Sequence, residues 1–274
     1  MELPTDLIPA RPAAPVAAYL GGKRRLANTI IERLAAIPHR TYVEPFIGMG
    51  GVFLRRPFRA RAEVINDLSK DVSGLFRILQ RHYQAFLDML RWQVSSRAEF
   101  ERLTSVDPET LTDLERAARF IYLQRLAFGG RIVGRAFGVS PSNPGRFDMS
   151  KIAPLLEDAH ERLSGVVIER LNYAELIPRY DSPETLFYLD PPYWECERYY
   201  GAGVFAREDF ERLAELLAGI KGRFIMSLND RPGVRKVFRR FEIDTVKLAY
   251  GVAARSGQAG KTFAEVLISG GGRK

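Results

Sequence analysis

Asp190-Pro191-Pro192-Tyr193 follows directly on the apolar run Leu186-Phe187-Tyr188-Leu189. A strand that ends in a carboxylate and two prolines sets these groups at the carboxyl edge of a sheet, where ligands of open α/β folds bind. The set suits one demanding task, making a nucleophile of an amine whose lone pair is delocalised into a ring, as in the exocyclic N6 of adenine. Both N–H groups of such an amine must be held by acceptors so that the lone pair is aimed at a methyl donor. Asp190 supplies a carboxylate and the Pro191 carbonyl a second acceptor, while Pro191 and Pro192 fix φ and add no competing N–H. Tyr193 offers a flat face on which an extruded base can stack, a contact worth about 1–3 kcal/mol. Extrusion is required because N6 is engaged in the base pair of a duplex.

Two further constellations could hold a cofactor. Tyr42-Val43-Glu44-Pro45-Phe46-Ile47-Gly48-Met49-Gly50-Gly51 is a strand running into a glycine turn, and Asn66-Asp67 closes the next strand, with Asp67 lying 19 residues after Gly48. Glycines let the backbone approach a nucleotide, and an acidic residue about 20 positions on is placed to accept from ribose hydroxyls. The third glycine that fits a pyrophosphate is not matched, so a dinucleotide is the weaker reading. Tyr19-Leu20-Gly21-Gly22-Lys23 puts a glycine pair before a lysine but is too short for a phosphate-binding P-loop.

These groups need a parallel sheet to position them. Strands are expected at Thr41 to Glu44, Glu63 to Asn66, Val166 to Glu169, Thr185 to Leu189, Arg223 to Ser227 and Ala264 to Ser269, with a helix such as Glu208 to Leu217 between them. From about Leu75 to Ser164 the periodicity is helical, interrupted between Gly129 and Phe147 by a glycine-, serine- and proline-rich stretch that reads as a hairpin or extended loop. The expected organisation is therefore a flexible Pro/Ala-rich tail over 1–18, a catalytic domain built from 19–74 and 165–274, and a helical insertion over 75–164 carrying the hairpin 129–147.

With 46% hydrophobic residues the chain can bury a core, which excludes a disordered protein, and a net charge of +8 favours a polyanionic partner such as nucleic acid. Cys196 is the only cysteine and His39, His82 and His160 are scattered, so neither a disulfide nor a metal site is expected. No apolar run approaches a membrane span and the start lacks the order of a secretory signal, so a cytoplasmic protein is expected.

Taken in order, the motifs resemble the Dam-type, or D12 class, family of DNA adenine-N6 methyltransferases, from Tyr19 to Ser269. The family's aromatic-x-Gly-Gly-Lys box is similar to Tyr19 to Lys23, its cofactor loop to Glu44 to Gly50, its Asn-Asp pair to Asn66-Asp67, and its catalytic box to Asp190 to Tyr193. Ser227-Leu228-Asn229 and Glu265 to Ile268 are looser matches. The resemblance implies a Rossmann-like S-adenosylmethionine-dependent methyltransferase sheet with an inserted helical DNA-recognition subdomain, double-stranded DNA as substrate, and no metal. It also implies a cytoplasmic enzyme, bacterial or phage-encoded, with a cognate restriction nuclease as an open question. Tyr19, Lys23, Glu44, Phe46, Gly48, Asp67 and Asp190 would contact S-adenosylmethionine, Lys23 as a charge near the methionyl end. Asn172 stands where many relatives have an aspartate. The usual Asn-Gly-Leu-x-Arg recognition element is replaced by Gly129-Gly130-Arg131-Ile132-Val133, closer to phage-type members, so GATC recognition is not carried over.

The same chemistry on cytosine N4 is the nearest alternative. A protein-glutamine methyltransferase would usually carry Asn in place of Asp190, and a silent DNA-binding module would leave the intact Asp190 box unexplained. For DNA contact the relevant stretch is Arg116 to Phe147, which holds six arginines and no Asp or Glu. Arg125, Arg131 and Arg135 are the expected DNA-binding residues, with Arg131 and Arg135 projecting from the hairpin toward base edges in the major groove. Arg116 and Arg119 read instead as a solvated basic helix face.

Overall fold

The computed structural model describes residues 6–19, 21–138, 142, 144–200, 203–247 and 264–272. Its strands are β1 (Ile8–Pro9), β2 (Thr41–Glu44), β3 (Phe58–Arg59), β4 (Ala62–Asn66), β5 (Val167–Glu169), β6 (Thr185–Leu189), β7 (Arg223–Asn229), β8 (Glu242–Lys247) and β9 (Ala264–Gly271). Seven of them form one sheet in the order β5-β4-β2-β6-β7-β9-β8, parallel throughout except for β9, which runs antiparallel to both neighbours. The order reverses between β2 and β6, so the crevice outside the carboxyl ends of these two strands is the switch point at which such sheets bind ligands.

The central strands are buried on both faces. Every residue of β6 is buried, which is why its sequence is continuously apolar rather than alternating. One core packs α1 (Ala27–Ala35) and α2 (Lys70–Arg81) with the inserted helices on one face; the other packs α7 (Tyr173–Tyr180) and α8 (Arg207–Gly219) on the opposite face. The expected strands are all present, as is the helix over 207–219.

Between β4 and β5 the chain forms α2, then α3 (Tyr83–Leu90), α4 (Arg97–Ser105), α5 (Asp113–Leu126) and α6 (Met149–Arg162). Ser69 caps α2 through the Val72 amide, and Thr112 and Glu115 form a reciprocal capping box on α5. Helix α5 packs against α2, α3 and α4 and is buried around almost its whole circumference. Arg116 and Arg119 are accordingly not a solvated face. Arg116 pairs with Asp71 and Glu109, and Arg119 donates to the carbonyls of Leu103 (2.7 Å) and Thr104 (3.4 Å). A buried guanidinium is tolerated where internal acceptors replace water.

Two other expectations are corrected. Over its described residues, 6–18, the Pro/Ala-rich segment is packed rather than flexible: β1 pairs with β3, Ala13 donates to the Leu54 carbonyl, and Leu7, Ala13, Val16 and Ala17 are buried. Ala13, Val16 and Ala17 supply apolar surface that the core takes up, while its prolines need no ladder partners. Of the hairpin or extended loop expected over 129–147, the described residues form a shorter loop closed by an antiparallel bridge between Ala127 and Phe137, with Phe128–Gly130 in a 3-10 turn. Residues 139–141 and 143 of that stretch lie outside the described residues.

Candidate active site

Asp190 begins the turn at the end of β6, and the turn is fixed from the neighbouring strand. Asn229, the last residue of β7, accepts from the Trp194 amide (2.9 Å) and donates to the Trp194 carbonyl (3.0 Å). Ser227 of the same strand donates to Asp190 Oδ1 (3.1 Å) and shares a hydrogen bond with the buried Tyr188 hydroxyl (2.8 Å). The second partner of Asp190 Oδ1 is Lys23 Nζ at 2.7 Å. Oδ2 is left without a protein hydrogen bond among the described residues, and Asp190 lines the cavity.

Lys23 is the hub of this cluster. Its side chain is 2% exposed, and besides Asp190 it meets the Tyr193 hydroxyl, the Gly21 carbonyl (3.3 Å) and, at 3.7 Å, Glu265 Oε2. The ammonium also lies 4.3 Å from the Tyr193 ring centroid. Burial pushes the Asp190 carboxyl up to about 6; Lys23 pulls it back down and the Glu265 charge adds to the rise. Burial, with the charges of Asp190 and Glu265, holds the Tyr193 phenol well above its ordinary range.

A cavity of about 500 Å³ opens beside this cluster. Of the residues expected from sequence, Tyr19, Lys23, Glu44, Phe46, Gly48, Asp67, Asp190 and Pro192 line it, contributed by the ends of β2, β4 and β6 and by the glycine segment before α1. Asp67 accepts from the amides of Gly48 (3.0 Å) and Ser69 (2.9 Å), which ties the glycine loop to the end of β4 and leaves its remaining lone pairs for a ligand. Burial raises Asp67 to about 6, opposed by those two amides. Gly48 has φ +50°, and a Cβ there would lie 3.1 Å from the Tyr19 ring, so only glycine allows the aromatic ring and the loop to close on one another. Asn66 bonds the Pro45 carbonyl and both backbone groups of Leu171, pinning the loop from below. Burial raises Glu44 to about 8 against the opposing Tyr42 hydrogen bond and Arg56 charge, so it carries a proton at neutral pH.

Pro191 is buried and Tyr193 half-buried in the turn beside the cavity. Asn172, by contrast, caps α7 through the Ala174 amide (2.9 Å). Ser227, Asn229 and Glu265 are the site residues to which the sequence assigned no role. The loose family matches at Ser227-Leu228-Asn229 and Glu265 to Ile268 were the signal available for them.

The expected DNA-binding arginines divide. Arg131 is exposed on the loop after α5. Arg135 turns inward, donating to Gln124 (3.3 Å) with its guanidinium 5.8 Å from the Phe120 ring centroid. Arg125 donates to the Val16 (2.6 Å) and Arg146 (3.4 Å) carbonyls. Both guanidinium groups are held by the protein itself, because the loop closes at Ala127 and Phe137 and folds back along α5.

Among the described residues no helix is long and apolar enough to cross a membrane, and no group of three or more His, Cys, Asp or Glu is arranged to hold a metal.

The chain is similar in sequence to DNA methyltransferases over most of its length. The chain is 22% identical over 222 residues to the Type II methyltransferase M.CviBI of Paramecium bursaria Chlorella virus NC1A, covering 80% of this chain and 85% of that protein. It is 25% identical over 278 residues to the Type II methyltransferase M1.LlaDCHI of Lactococcus lactis subsp. cremoris (93% and 94%). To the DNA adenine methylase of Escherichia coli (strain K12) it is 24% identical over 253 residues (87% and 89%). The family model for D12 class N6 adenine-specific DNA methyltransferases matches residues 19–252, spanning the glycine segment, both strand-end loops and the Asp190 turn, and the chain belongs to that family.

Proposed function

We propose that the cavity binds S-adenosylmethionine and that the Asp190 turn receives an adenine extruded from duplex DNA. The observation that carries this reading is Asp190 itself, a cavity-lining carboxylate whose Oδ1 is fixed by Lys23 and Ser227 and whose Oδ2 takes no hydrogen bond among the described residues. The donor set fits the cofactor. Asp67 presents carboxylate lone pairs suited to ribose hydroxyls, Tyr19 and Phe46 present apolar faces, and the volume lies within the roughly 300–1,000 Å³ typical of such ligands. S-adenosylmethionine would supply an electrophilic methyl group on a sulfonium.

The chain's own residues do the rest. Asp190 Oδ2 and the Pro191 carbonyl accept the two N–H groups of the target amine, which turns its lone pair out of conjugation. The ionised carboxylate then opposes the positive charge that develops on nitrogen and is positioned to take the proton released. Tyr193, anchored through its hydroxyl to Lys23, offers a ring face to the base. Arg131 is the exposed candidate for base contact.

The test is incubation of unmethylated duplex DNA with the protein and S-adenosylmethionine, followed by nucleoside mass measurement. N6-methyladenine should appear, and Asp190→Ala should reduce its formation more than tenfold with DNA affinity held within a few fold. N4-methylcytosine as the product, or near-normal turnover by Asp190→Ala, would sink the assignment.

A further inference from the structure

Three cations line the cavity, and only one is neutralised inside the protein. Lys23, the residue assigned from sequence to the methionyl end, is held by Asp190 and Glu265 and by the Tyr193 hydroxyl. Arg24 and Arg55 line the same cavity and pair with no carboxylate among the described residues. Arg55 stands at the end of the 3-10 turn Phe53–Arg55 that follows the glycine loop, and its Nη1 donates to the Gly51 carbonyl at 2.7 Å. Arg24 follows Lys23 directly and presses its like charge on the half-buried Arg55.

Two guanidinium groups that line one cavity with no carboxylate partner repel each other, and an anion bound between them would offset that repulsion. Their planar donor forks match a carboxylate in two-point geometry, which an ammonium does not. The adenosine half of the cofactor is uncharged, so its amino-acid carboxylate is the one anion it brings. We infer that Arg24 and Arg55 form the binding site for that carboxylate, leaving Lys23 to serve Asp190. The assignment rests on the reading that the cavity holds S-adenosylmethionine.

Calorimetric titration of the full chain with S-adenosylhomocysteine and with 5′-methylthioadenosine separates the two. The second ligand keeps the adenosine thioether and lacks the amino-acid carboxylate. The unaltered protein should bind S-adenosylhomocysteine about tenfold or more tightly. Arg24→Gln and Arg55→Gln should each weaken that ligand several fold, and together by about tenfold or more, with the affinity for 5′-methylthioadenosine unchanged. Arg24 is exposed, so its substitution carries the test even if Arg55→Gln lowers the melting temperature. Equal weakening of both ligands, or of neither, overturns the inference. So does a loss confined to duplex DNA affinity, which would make the pair a phosphate contact. Equal affinity of the unaltered protein for the two ligands overturns this inference alone, whereas failure to bind either overturns the cofactor reading and this inference with it.

Discussion

Replacing Lys23 with methionine keeps the length of the side chain and removes the charge 2.7 Å from Asp190. Burial already lifts Asp190 to about 6, and Lys23 is the largest influence holding it down. An opposite charge this close is worth about 1–3 units, so its loss moves the carboxyl upward by that amount, and the neighbouring Glu265, now unopposed, acts in the same direction. Only the ionised carboxylate accepts from the amine, so the acid limb of methyl transfer should follow this pKa. At pH 6.5 a carboxyl near 6 is roughly three-quarters ionised; two units higher, it is ionised in about 3% of molecules, a loss of roughly 25-fold. At pH 9 the two proteins should differ by a few fold at most. Single-turnover methylation of a duplex oligonucleotide between pH 5.5 and 9 reads the limb directly. A Lys23→Met protein slowed by the same factor at every pH would refute the argument. The sign for stability runs the other way: a raised Asp190 pKa favours the folded state below 3.8, and this contribution is lost as pH rises through about 6. Lys23→Met should therefore melt progressively lower than the unaltered protein above pH 6.

Tyr193→Phe, which would be nearly silent if only the ring acted, should slow transfer measurably because the hydroxyl anchors Lys23, and Tyr193→Ala should slow it further; equal rates for Tyr193→Phe and the unaltered protein would remove the anchoring role. Ser227→Ala strips the buried Tyr188 hydroxyl and Asp190 Oδ1 of a shared partner and should lower stability by about 1–3 kcal/mol in denaturant titration, with the acid limb shifted upward. Arg131→Ala should broaden the methylated motif in modified-base sequencing. Arg116→Ala should instead lower stability by about 3 kcal/mol or more, because it leaves the half-buried Asp71 without its partner, and should leave the motif unchanged; a broadened motif for Arg116→Ala would contradict the burial argument.

The carboxyl-edge residues were legible because the strands that carry them are short apolar runs ending in turn chemistry. Leu186 to Leu189 before Asp190 is one case, and Tyr42 and Val43 before the glycine loop another. Strand β8, with the sequence Glu-Ile-Asp-Thr-Val-Lys, was not, since an edge strand that alternates charge with apolar residues reads as a solvated segment until β9 is there to pair it. Arg116 and Arg119 of α5 read as surface in the sequence because their acceptors, Asp71 and the carbonyls of α4, lie far off along the chain. The same distance hid the role of Lys23, which meets Tyr193 across 170 residues. Motif reading supplied both residues but not the fact that one holds the other.

The segment over 13–19 touches two things at once. Ala14, Pro15, Ala17, Ala18 and Tyr19 wall the cavity, while Gln124 binds the carbonyls of Ala18 and Gly130 together, each at 2.8 Å, and Arg125 holds that of Val16. Gly130 packs so closely on Ala18 that a Cβ would stand 3.1 Å from its carbonyl carbon, and Ile132 of the same loop reaches the cavity wall. The strip that seats one ligand is thus also the hinge plate of the loop that carries Arg131. Were a ligand at the cavity wall to change the loop's affinity for DNA through this strip, thermodynamic reciprocity would require DNA to change the affinity for that ligand by the same factor, so measuring either affinity with and without the other partner reads the same coupling.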